Sequence, residues 1–574
     1  MVTFGDDAEQ EYLEARAGDG VTGGDLALFK YFKMELFRGG RNGIKRSSID
    51  DAEAISEDQN TRLPLVYVVS LALEYIKGII INRLNNVDNH TLRASDIRWV
   101  LTVPAIWSSF GKAFMRTAAL RAGLIQQEYD MEHLRLCLEP EAACLMVEHR
   151  HCNIRKLDKG MKVMILDCGS DTVDITTHHM VSTDPVHLEE LEEPVGGPWG
   201  STTVDAKFKL FVKGLLGCND EQWARLDEST EMFELMADWE AKKTSHHPGK
   251  KVWISVGGIL DLAGMSVKDY DTSRGQFNDT STAKAEGMGR RAALTPELMS
   301  SFFEEAMVEI VKAAETVLAR LREISVVCMI GEFSASPLLQ ERVTSALQTP
   351  RLRVEVVERP GLAIAKRELR RCAARQLSLS RSGYHRQTDV EANCPEVLGA
   401  TRYGTSDSTI VSRKARLTFG FKHVTKYDEN NPEHTKRMRH ARFIVDALYL
   451  DKFSCLTEKG IDLPSAASDL EHTFHPVSDE QEELSVDLCI SLRPKAEIEY
   501  LKDDGVDKKL SILKTVSAPI DMSVPMSKRG MSLQLSFGGT ELGIKCTRCS
   551  DEHEVITSTV FVEEMEDARF EARC

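Results

Sequence analysis

The chain has 574 residues, enough for about three to four structural units, and it needs no disulfide or metal to fold. Its 72 basic and 89 acidic residues give a net charge of −17, which disfavours broad binding to nucleic acid or anionic membranes. We find no run of about 18 apolar residues and no signal peptide, so we expect no membrane insertion. Thirteen cysteines without framework spacing predict reduced thiols in the cytoplasm, or also in the nucleus.

The first 370 residues or so alternate short β-branched runs with helical patterns. Continuous apolar runs that end in Pro or Gly predict strands buried on both faces, at 99–105, 162–169 and 324–331. Apolar residues at helical spacing predict helices at 108–122 and 295–321, the second beginning with Thr295 and Pro296. This half is therefore predicted to be α/β.

The sequence pattern changes in the second half of the chain. A basic run at 366–386 is typical of a solvated helix end, although it could also hold an anionic partner or be phosphorylated within LSLSRS. Alternating apolar residues near 486–492 and 531–537 predict half-buried antiparallel strands. The acidic stretch 468–483, ahead of both, predicts a mobile loop. We predict three segments, a domain at 1–385, a linker at 386–412 and a β-rich domain at 413–574.

The segment ILDCGSDTVDITTHHM at 165–180 carries the clearest chemical signal. A buried strand ends in Asp167, the chain turns through Gly169 and Thr172, and a second strand departs with Asp174. Such a turn aims backbone N–H groups and a hydroxyl at a phosphate, and the two carboxylates could hold hydrated Mg²⁺. Taken alone, the segment is equally well explained as a plain β-hairpin.

Three further segments combine a strand, a turn and a helix start. They are LTVPAIWSSFGKAFMRTAALRAGL at 101–124 with LEPEAACL at 138–145, GGPWGSTTVD at 196–205, and VCMIGEFSASPLLQERV at 327–343. The glycine-rich one leads into a helix whose N-terminus can receive an anion. In order and spacing the segments resemble the nucleotide-binding domain of the heat shock 70 kDa protein superfamily, which shares its fold with actin and sugar kinases. The likeness is strongest to the divergent heat shock 70 kDa protein 12 family, and ARLTFGFKHVTKYDENNPEH at 415–434 and FGGTELGIKCT at 537–547 extend it.

The resemblance implies a two-lobed actin-like ATPase domain followed by a β-rich domain. It also implies that four residues surround the γ-phosphate, Mg²⁺ and the attacking water: Lys33, Glu139, Asp167 and Asp174. Asp167 and Asp174 would be the metal ligands. The remaining nucleotide contacts implied by motif position are Gly169, Thr172, Gly196, Gly197, Glu240, Lys242, Lys243 and Gly331. Lys33 and Lys243 could instead be ordinary surface lysines.

Three departures from the family pattern bear on nucleotide binding. The first phosphate hairpin of the superfamily is not found, since Met1–Asp7 already resembles sequence downstream of it. Asp171 and Glu332 stand where the family has glycine. A like-charge pair at 4 Å costs about 1 kcal/mol in water and roughly 4 kcal/mol at an effective dielectric constant of 20. Both carboxylates would oppose a polyphosphate if their side chains face it, and would cost little if they point outward.

Three functions follow from these observations. The first is a chaperone-related protein that binds ATP and Mg²⁺, with weak hydrolysis at most, and that couples nucleotide binding to a protein client or signalling partner. The second is a degenerate scaffold that no longer binds nucleotide, and the third is a metabolite kinase of the same fold. The pairs Cys546–Cys549, His178–His179 and His246–His247 lack the spacing of a metal site, so no structural metal is expected.

Overall fold

The computed structural model describes most of the chain. The described residues are 2–17, 26–30, 32, 33, 36, 49–57, 60–88, 91–107, 109–127, 130, 132–147, 157–183, 185–227, 229–264, 286–288, 291–357, 403, 410–444, 447–464, 470–500, 510–536, 542–550 and 554–560. Most of the predicted linker at 386–412 lies outside them, and so does the whole basic run at 366–386.

Helices lie mainly in the first 350 residues. Those of the described part are α1 (Asp6–Ala17), α2 (Leu65–Asp88), α3 (Ser109–Arg121), α4 (Glu139–Val147), α5 (Ser201–Leu216), α6 (Asp220–Asp227), α7 (Thr230–Ser245), α8 (Gly257–Leu262), α9 (Pro296–Arg320), α10 (Pro337–Leu347) and α11 (Pro432–Lys436). Short 3₁₀ turns connect several of them, among them Glu332–Ala335 ahead of α10.

Strands occur throughout the chain. Those described are β1 (Glu53–Ile55), β2 (Arg62–Pro64), β3 (Trp99–Val103), β4 (Leu134–Leu138), β5 (Lys162–Cys168), β6 (Val173–Thr183), β7 (Val186–Gly197), β8 (Val252–Ser255), β9 (Glu286–Met288), β10 (Arg291–Leu294), β11 (Val326–Ile330), β12 (Arg353–Val356), β13 (Ile410–Lys414), β14 (Thr418–Lys426), β15 (Arg442–Ile444), β16 (Ala447–Thr457), β17 (Asp462–Pro464), β18 (Leu470–Phe474), β19 (Glu483–Ser491), β20 (Ser511–Pro519), β21 (Met531–Ser536), β22 (Leu542–Arg548) and β23 (Glu554–Val560).

The largest sheet has seven strands in the order β12-β11-β5-β6-β7-β13-β17. Strands β5, β6 and β7 form an antiparallel meander, whereas β11 and β12 extend the sheet in parallel from β5. Side chains of β5 alternate between two cores, because Met164 and Leu166 pack with α5 and α9 while Val163 and Ile165 pack with α4. Burial on both faces explains the continuous apolar run in the sequence. The predicted α/β class is therefore confirmed.

Helix α9 follows the sequence prediction closely. The Thr295 hydroxyl accepts a hydrogen bond from the Leu298 amide at 3.3 Å, and Pro296 occupies the first helical position. The predicted stripe from Leu298 to Ile310 is buried and packs against the large sheet. The N-cap and the apolar spacing thus fix both the start of the helix and the face that it buries.

A smaller parallel sheet, β3 with β4, positions two further segments of the predicted site. The register runs from Trp99 opposite Leu134 to Val103 opposite Leu138. Helix α3 packs against this sheet through Phe114 and Ala118, both of which are fully buried. The carboxyl ends of β3 and β4 therefore lie side by side, and α4 begins directly after β4.

The C-terminal part contains two antiparallel sheets that share one core. Their strand orders are β15-β16-β14-β19-β20 and β18-β21-β22-β23. The predicted alternation in β19 is observed, with Val486, Leu488 and Ile490 buried together with Leu533 and Leu535 of β21. The period-two pattern therefore identified real strand segments.

Part of the acidic stretch 468–483, which the sequence predicted to be a mobile loop, is a strand, and the prediction was wrong for residues 470–474. Strand β18 spans Leu470–Phe474 and pairs with β21. Phe474 is buried, and its ring meets Phe421 edge-on at 5.0 Å between centroids. Glu471 is the single acidic residue of this strand, and it lies on the exposed face while Phe474 lies on the packed one, so the acidic composition of the whole stretch concealed the strand.

Two other features differ from expectation. Strand β13 crosses the predicted boundary at residue 413 and pairs in parallel with β7 of the large sheet. Within α2, the stretch Leu65–Asn86 is long and apolar enough by length and composition to cross a membrane, and 28% of its most apolar window is buried. The prediction that the chain has no segment apolar enough to span a membrane was therefore too strong. Core helices of soluble proteins pass the same test.

Candidate functional site

The predicted phosphate hairpin is formed by β5 and β6. Asp167 and Asp174 stand opposite each other in the antiparallel register, and both are buried. The turn between the strands is closed by the Gly169 amide, which donates to the Thr172 carbonyl at 2.9 Å. The Thr172 hydroxyl in turn donates to Asp174 Oδ2 at 3.3 Å. Two carboxylates and a hydroxyl are thus held together at one end of the large sheet.

Asp174 is also tied to the smaller sheet. The amide of Ile106, in the loop after β3, donates to Asp174 Oδ1 at 2.7 Å. Burial and the nearby charge of Glu139 raise the pKa of Asp174 to about 7, against the opposing effects of the Ile106 amide, Lys33 and Thr172. A carboxyl group of this kind can exchange a proton near neutral pH.

Lys33 and Glu139 form an ion pair near this hairpin. Lys33 Nζ lies 3.0 Å from Glu139 Oε1 and 5.9 Å from the ring centroid of Trp107. Partial loss of solvent lowers the pKa of Lys33, but the charge of Glu139, with those of Asp167 and Asp171, outweighs that effect, and the pKa lies above its ordinary value. The Lys33 side chain keeps 45% of its surface exposed, so the cation can still face a ligand. The four residues that the resemblance assigned to catalysis are therefore brought together.

The carboxylates of this cluster suit Mg²⁺, which needs few protein ligands, better than a metal ion that protein side chains coordinate completely. Among the described residues, no group of three or more His, Cys, Asp or Glu side chains is placed to hold a metal ion. Mg²⁺ is commonly bound by one or two carboxylates, with water and phosphate oxygens completing its shell. The paired Asp167 and Asp174 supply such a donor set, so the residues present fit the ion.

The glycine-rich segment ahead of α5 serves to pack the hairpin turn. The amides of Ser201 and Thr202 donate to the carbonyls of Gly169 and Ser170 at 3.3 and 2.8 Å. A Cβ added to Gly200 would lie 2.2 Å from the Ser170 carbonyl oxygen, so only glycine allows this approach. These amides already hold the turn, and an anion at this helix terminus would have to replace those contacts.

Gly196 and Gly197 lie at the end of β7, opposite Asp174 and Val173. A Cβ on Gly196 would come within 2.1 Å of the Val173 carbonyl oxygen, and one on Gly197 within 2.6 Å of the Trp199 ring. Both glycines are required by close packing next to the hairpin. A direct contact with nucleotide remains a prediction for each.

Lys243 is a buried residue, so the alternative of an ordinary surface lysine was wrong for it. Its side chain is 2% exposed, and its ammonium group lies 2.8 Å from Asp205 Oδ1 and 2.6 Å from Glu240 Oε2. The Trp239 indole N–H donates to the same Asp205 oxygen at 2.7 Å. Lys242 faces elsewhere and pairs with Asp238. Of the predicted adenosine contacts on α7, Glu240 and Lys243 are therefore brought together and Lys242 is not.

Asp205 is a residue that the sequence reasoning missed. It is the last residue of the GGPWGSTTVD segment and lies one helical turn after Ser201, whose hydroxyl is 3.5 Å from Lys243 Nζ. An acidic residue one turn after the first residue of the predicted helix was the available signal. The partner lysine, 38 residues further on, could not be identified from local pattern.

Gly331 packs against the hairpin and precedes Glu332, one of the departures from the family pattern. It has φ of +83°, and an added Cβ would lie 2.4 Å from Asp167 Oδ1, so glycine is required here. The pKa of the neighbouring Glu332 is raised by burial and by Glu240, with Lys243 acting in the opposite direction. Asp171 adds to the rise. Both departures, Asp171 and Glu332, thus belong to the electrostatic surroundings of the predicted site.

A large mixed sheet packed against helices, with an aspartate hairpin beside a Lys–Glu pair, carries the likeness of this chain to heat-shock-70-like proteins. No protein-family model matches it. It is 23% identical over 538 residues to heat shock 70 kDa protein 12A of Homo sapiens, which covers 83% of this chain and 72% of that protein. The Mus musculus protein of the same name gives the same values.

Heat shock 70 kDa protein 12B of Homo sapiens is 22% identical over 606 residues, covering 94% of this chain and 80% of that protein. The matches extend over most of the chain rather than one motif. The resemblance to a heat shock 70 kDa protein 12-like family is therefore confirmed.

Proposed function

We propose that this protein binds ATP with Mg²⁺ at the Asp167–Asp174 hairpin, hydrolyses it weakly at most, and couples nucleotide binding to a protein partner. The observation that carries the proposal is the assembly of Lys33, Glu139 and the two aspartates from distant parts of the sequence. In this interpretation residues 1–385 form a two-lobed actin-like domain and 413–574 a β-rich partner-binding domain. We further propose a cytoplasmic location.

The chemistry asked of these residues is modest. Lys33 would offset the charge that develops on the transferred phosphoryl group. The carboxylate of Glu139, paired with Lys33 beside the hairpin, would help to orient the attacking water. Asp167 and Asp174 would hold Mg²⁺, which when bound neutralises phosphate charge.

A shared sheet supports coupling to the C-terminal part. Strand β13 leads into β14 of the C-terminal sheets and pairs with β7, whose far end carries Gly196 and Gly197. A change at the hairpin that shifted β7 would therefore reach β13 through backbone hydrogen bonds. Nucleotide would favour one arrangement by differential binding.

Calorimetric titration with ATP and Mg²⁺ tests the proposal. We expect saturable binding that weakens at least tenfold in Lys33→Ala and Asp174→Asn. Matched controls are Lys312→Ala and Asp220→Asn, which remove the same groups from exposed positions. An absence of binding at millimolar ATP, or equal losses in the controls, would contradict the proposal.

The rival function is a scaffold that has lost the nucleotide, and the charge of the site favours it. Around Lys33 and Lys243 lie seven carboxylates, Glu139, Asp167, Asp171, Asp174, Asp205, Glu240 and Glu332. Without Mg²⁺, this excess of negative charge opposes a polyphosphate. ATP turnover above background by the unmodified chain would exclude the scaffold.

A further inference from the structure

A cavity lies at the C-terminal end of α7, and of the predicted nucleotide contacts only Lys242, which pairs with Asp238 and not with Glu240 or Lys243, lines it. Its volume is about 480 Å³, within the range of small-ligand sites. The residues that matter for its chemistry are Lys242, Lys250, Lys251, Arg291, His246 and Trp253. Its lining thus differs sharply in charge from the acidic site around Asp167.

The basic character of the cavity follows from local structure. Helix α7 ends at Ser245, and the chain turns through Gly249, with φ of +76°, into β8. Residues of β8 alternate, so that Trp253 and Ser255 face outward while Val252 and Ile254 are buried. Arg291 of β10 stands opposite Ser255. Cations at the end of α7 also complement the negative end of the helix dipole.

The described residues that line the cavity include four Lys or Arg side chains and one carboxylate, Asp238. Asp238 Oδ1 accepts from Lys242 Nζ at 2.6 Å, and its other oxygen accepts from the Ser255 amide at 3.1 Å. The lining therefore carries an excess of positive charge in a chain whose net charge is −17. Such an excess favours an anion as the ligand.

His246 supplies an independent observation. Its side chain lines the cavity and the residue is only 4% exposed. Its Nε2 atom is buried and makes no hydrogen bond to any described residue. Leaving a buried polar atom unsatisfied is costly, so such an atom points to a ligand or water that completes the site.

We propose that this cavity binds a compact, multiply charged anion that bears phosphate groups. Lys250 and Arg291 approach it from the α7–β8 turn and from β10, and the Trp253 ring, 36% exposed, forms an apolar wall. Guanidinium and ammonium groups together match phosphate oxygens. The proposal does not depend on ATP binding at the other site.

Calorimetry with inorganic tripolyphosphate on the full chain tests the assignment. We expect saturable binding that weakens at least tenfold in the double variant Lys250→Gln/Arg291→Gln and severalfold in His246→Leu. The matched control is Arg225→Gln/Lys312→Gln, which removes the same charges from side chains that are 78% and 71% exposed. Sulfate at equal ionic strength distinguishes a phosphate preference from general anion attraction.

Two further readouts locate the ligand. Trp253 fluorescence should respond to tripolyphosphate, and Trp253→Phe should lose that response while calorimetric binding remains. Lys33→Ala should bind tripolyphosphate within twofold of wild type, because Lys33 belongs to the other site. The proposal is overturned by no binding at millimolar tripolyphosphate, by equal weakening in the control double variant, or by loss of binding in Lys33→Ala alone.

Discussion

Arg413 of β13 donates through both of its terminal nitrogens to the carboxylate of Glu141 in α4, although 272 positions separate them in the sequence. The bond from Nη2 to Oε2 is 3.0 Å long, and the two side chains are 11% and 2% exposed. A bidentate pair of this kind is strong because two charge-assisted hydrogen bonds form in parallel. It joins the strand that leads into the C-terminal sheets to the helix that carries Glu139.

Breaking this pair from one side should be costly. Glu141→Leu or Arg413→Met would leave one buried charge without its partner, and we expect each to lower the free energy of unfolding by about 3–5 kcal/mol. The double variant should cost clearly less than the sum, which urea unfolding followed by tryptophan fluorescence would measure. Glu53→Leu and Arg62→Met break an exposed pair and should have little effect. Additive losses at Glu141 and Arg413 would contradict this account.

The N-cap of α9 offers a second stability test. Thr295→Ala removes the hydroxyl that accepts from the Leu298 amide, and we expect a loss of about 1 kcal/mol. Thr316→Ala in the same helix is the matched control, since its hydroxyl only bonds to the Lys312 carbonyl at an exposed position. Thermal unfolding of the two variants should differ, and equal midpoints would show that the cap is not significant.

Local patterns predicted the features that depend on neighbouring residues. The hairpin with Asp167 opposite Asp174 follows from two apolar runs around a four-residue turn, and the start of α9 follows from Thr295 and Pro296. In both cases the residues that fix the structure lie within a few positions of one another. The spacing of apolar residues and the helix-capping residues were therefore sufficient to predict both features.

The features that escaped prediction are contacts between distant residues. The burial of Lys243 depends on Asp205, 38 positions earlier, and the pairing of β18 depends on β21, whose Leu533 stands opposite His472. Arg413 likewise gives no local sign of its partner. Side chains that look solvated from composition become buried only when a remote segment supplies the opposite charge or the adjacent strand.

Neutralising the two family departures should strengthen nucleotide binding. In Asp171→Asn/Glu332→Gln, two negative charges near the phosphate position disappear, and we expect the Kd for ATP with Mg²⁺ to fall at least tenfold, equivalent to about 1.4 kcal/mol. The gain should shrink at high salt. Asp220→Asn/Glu323→Gln removes two exposed carboxylates and should leave the Kd unchanged. An equal Kd in both double variants would show that Asp171 and Glu332 do not oppose the ligand.

The raised pKa of Asp174 makes a prediction about stability and pH. Because burial and Glu139 raise this pKa to about 7, the folded chain binds the proton more tightly than the unfolded chain does, whose carboxyl has the ordinary value of 3.8. The stabilisation from protonation is fully present below the unfolded pKa and is lost as the pH rises through about 7. In Asp174→Asn this titration is absent. As the pH is raised from 5.5 to 8, the free energy of unfolding of the variant should therefore rise by about 2 kcal/mol relative to that of wild type. Urea unfolding across that range measures the difference, with the exposed Asp158→Asn as the control, and parallel stability curves for wild type and Asp174→Asn would rule out a raised pKa.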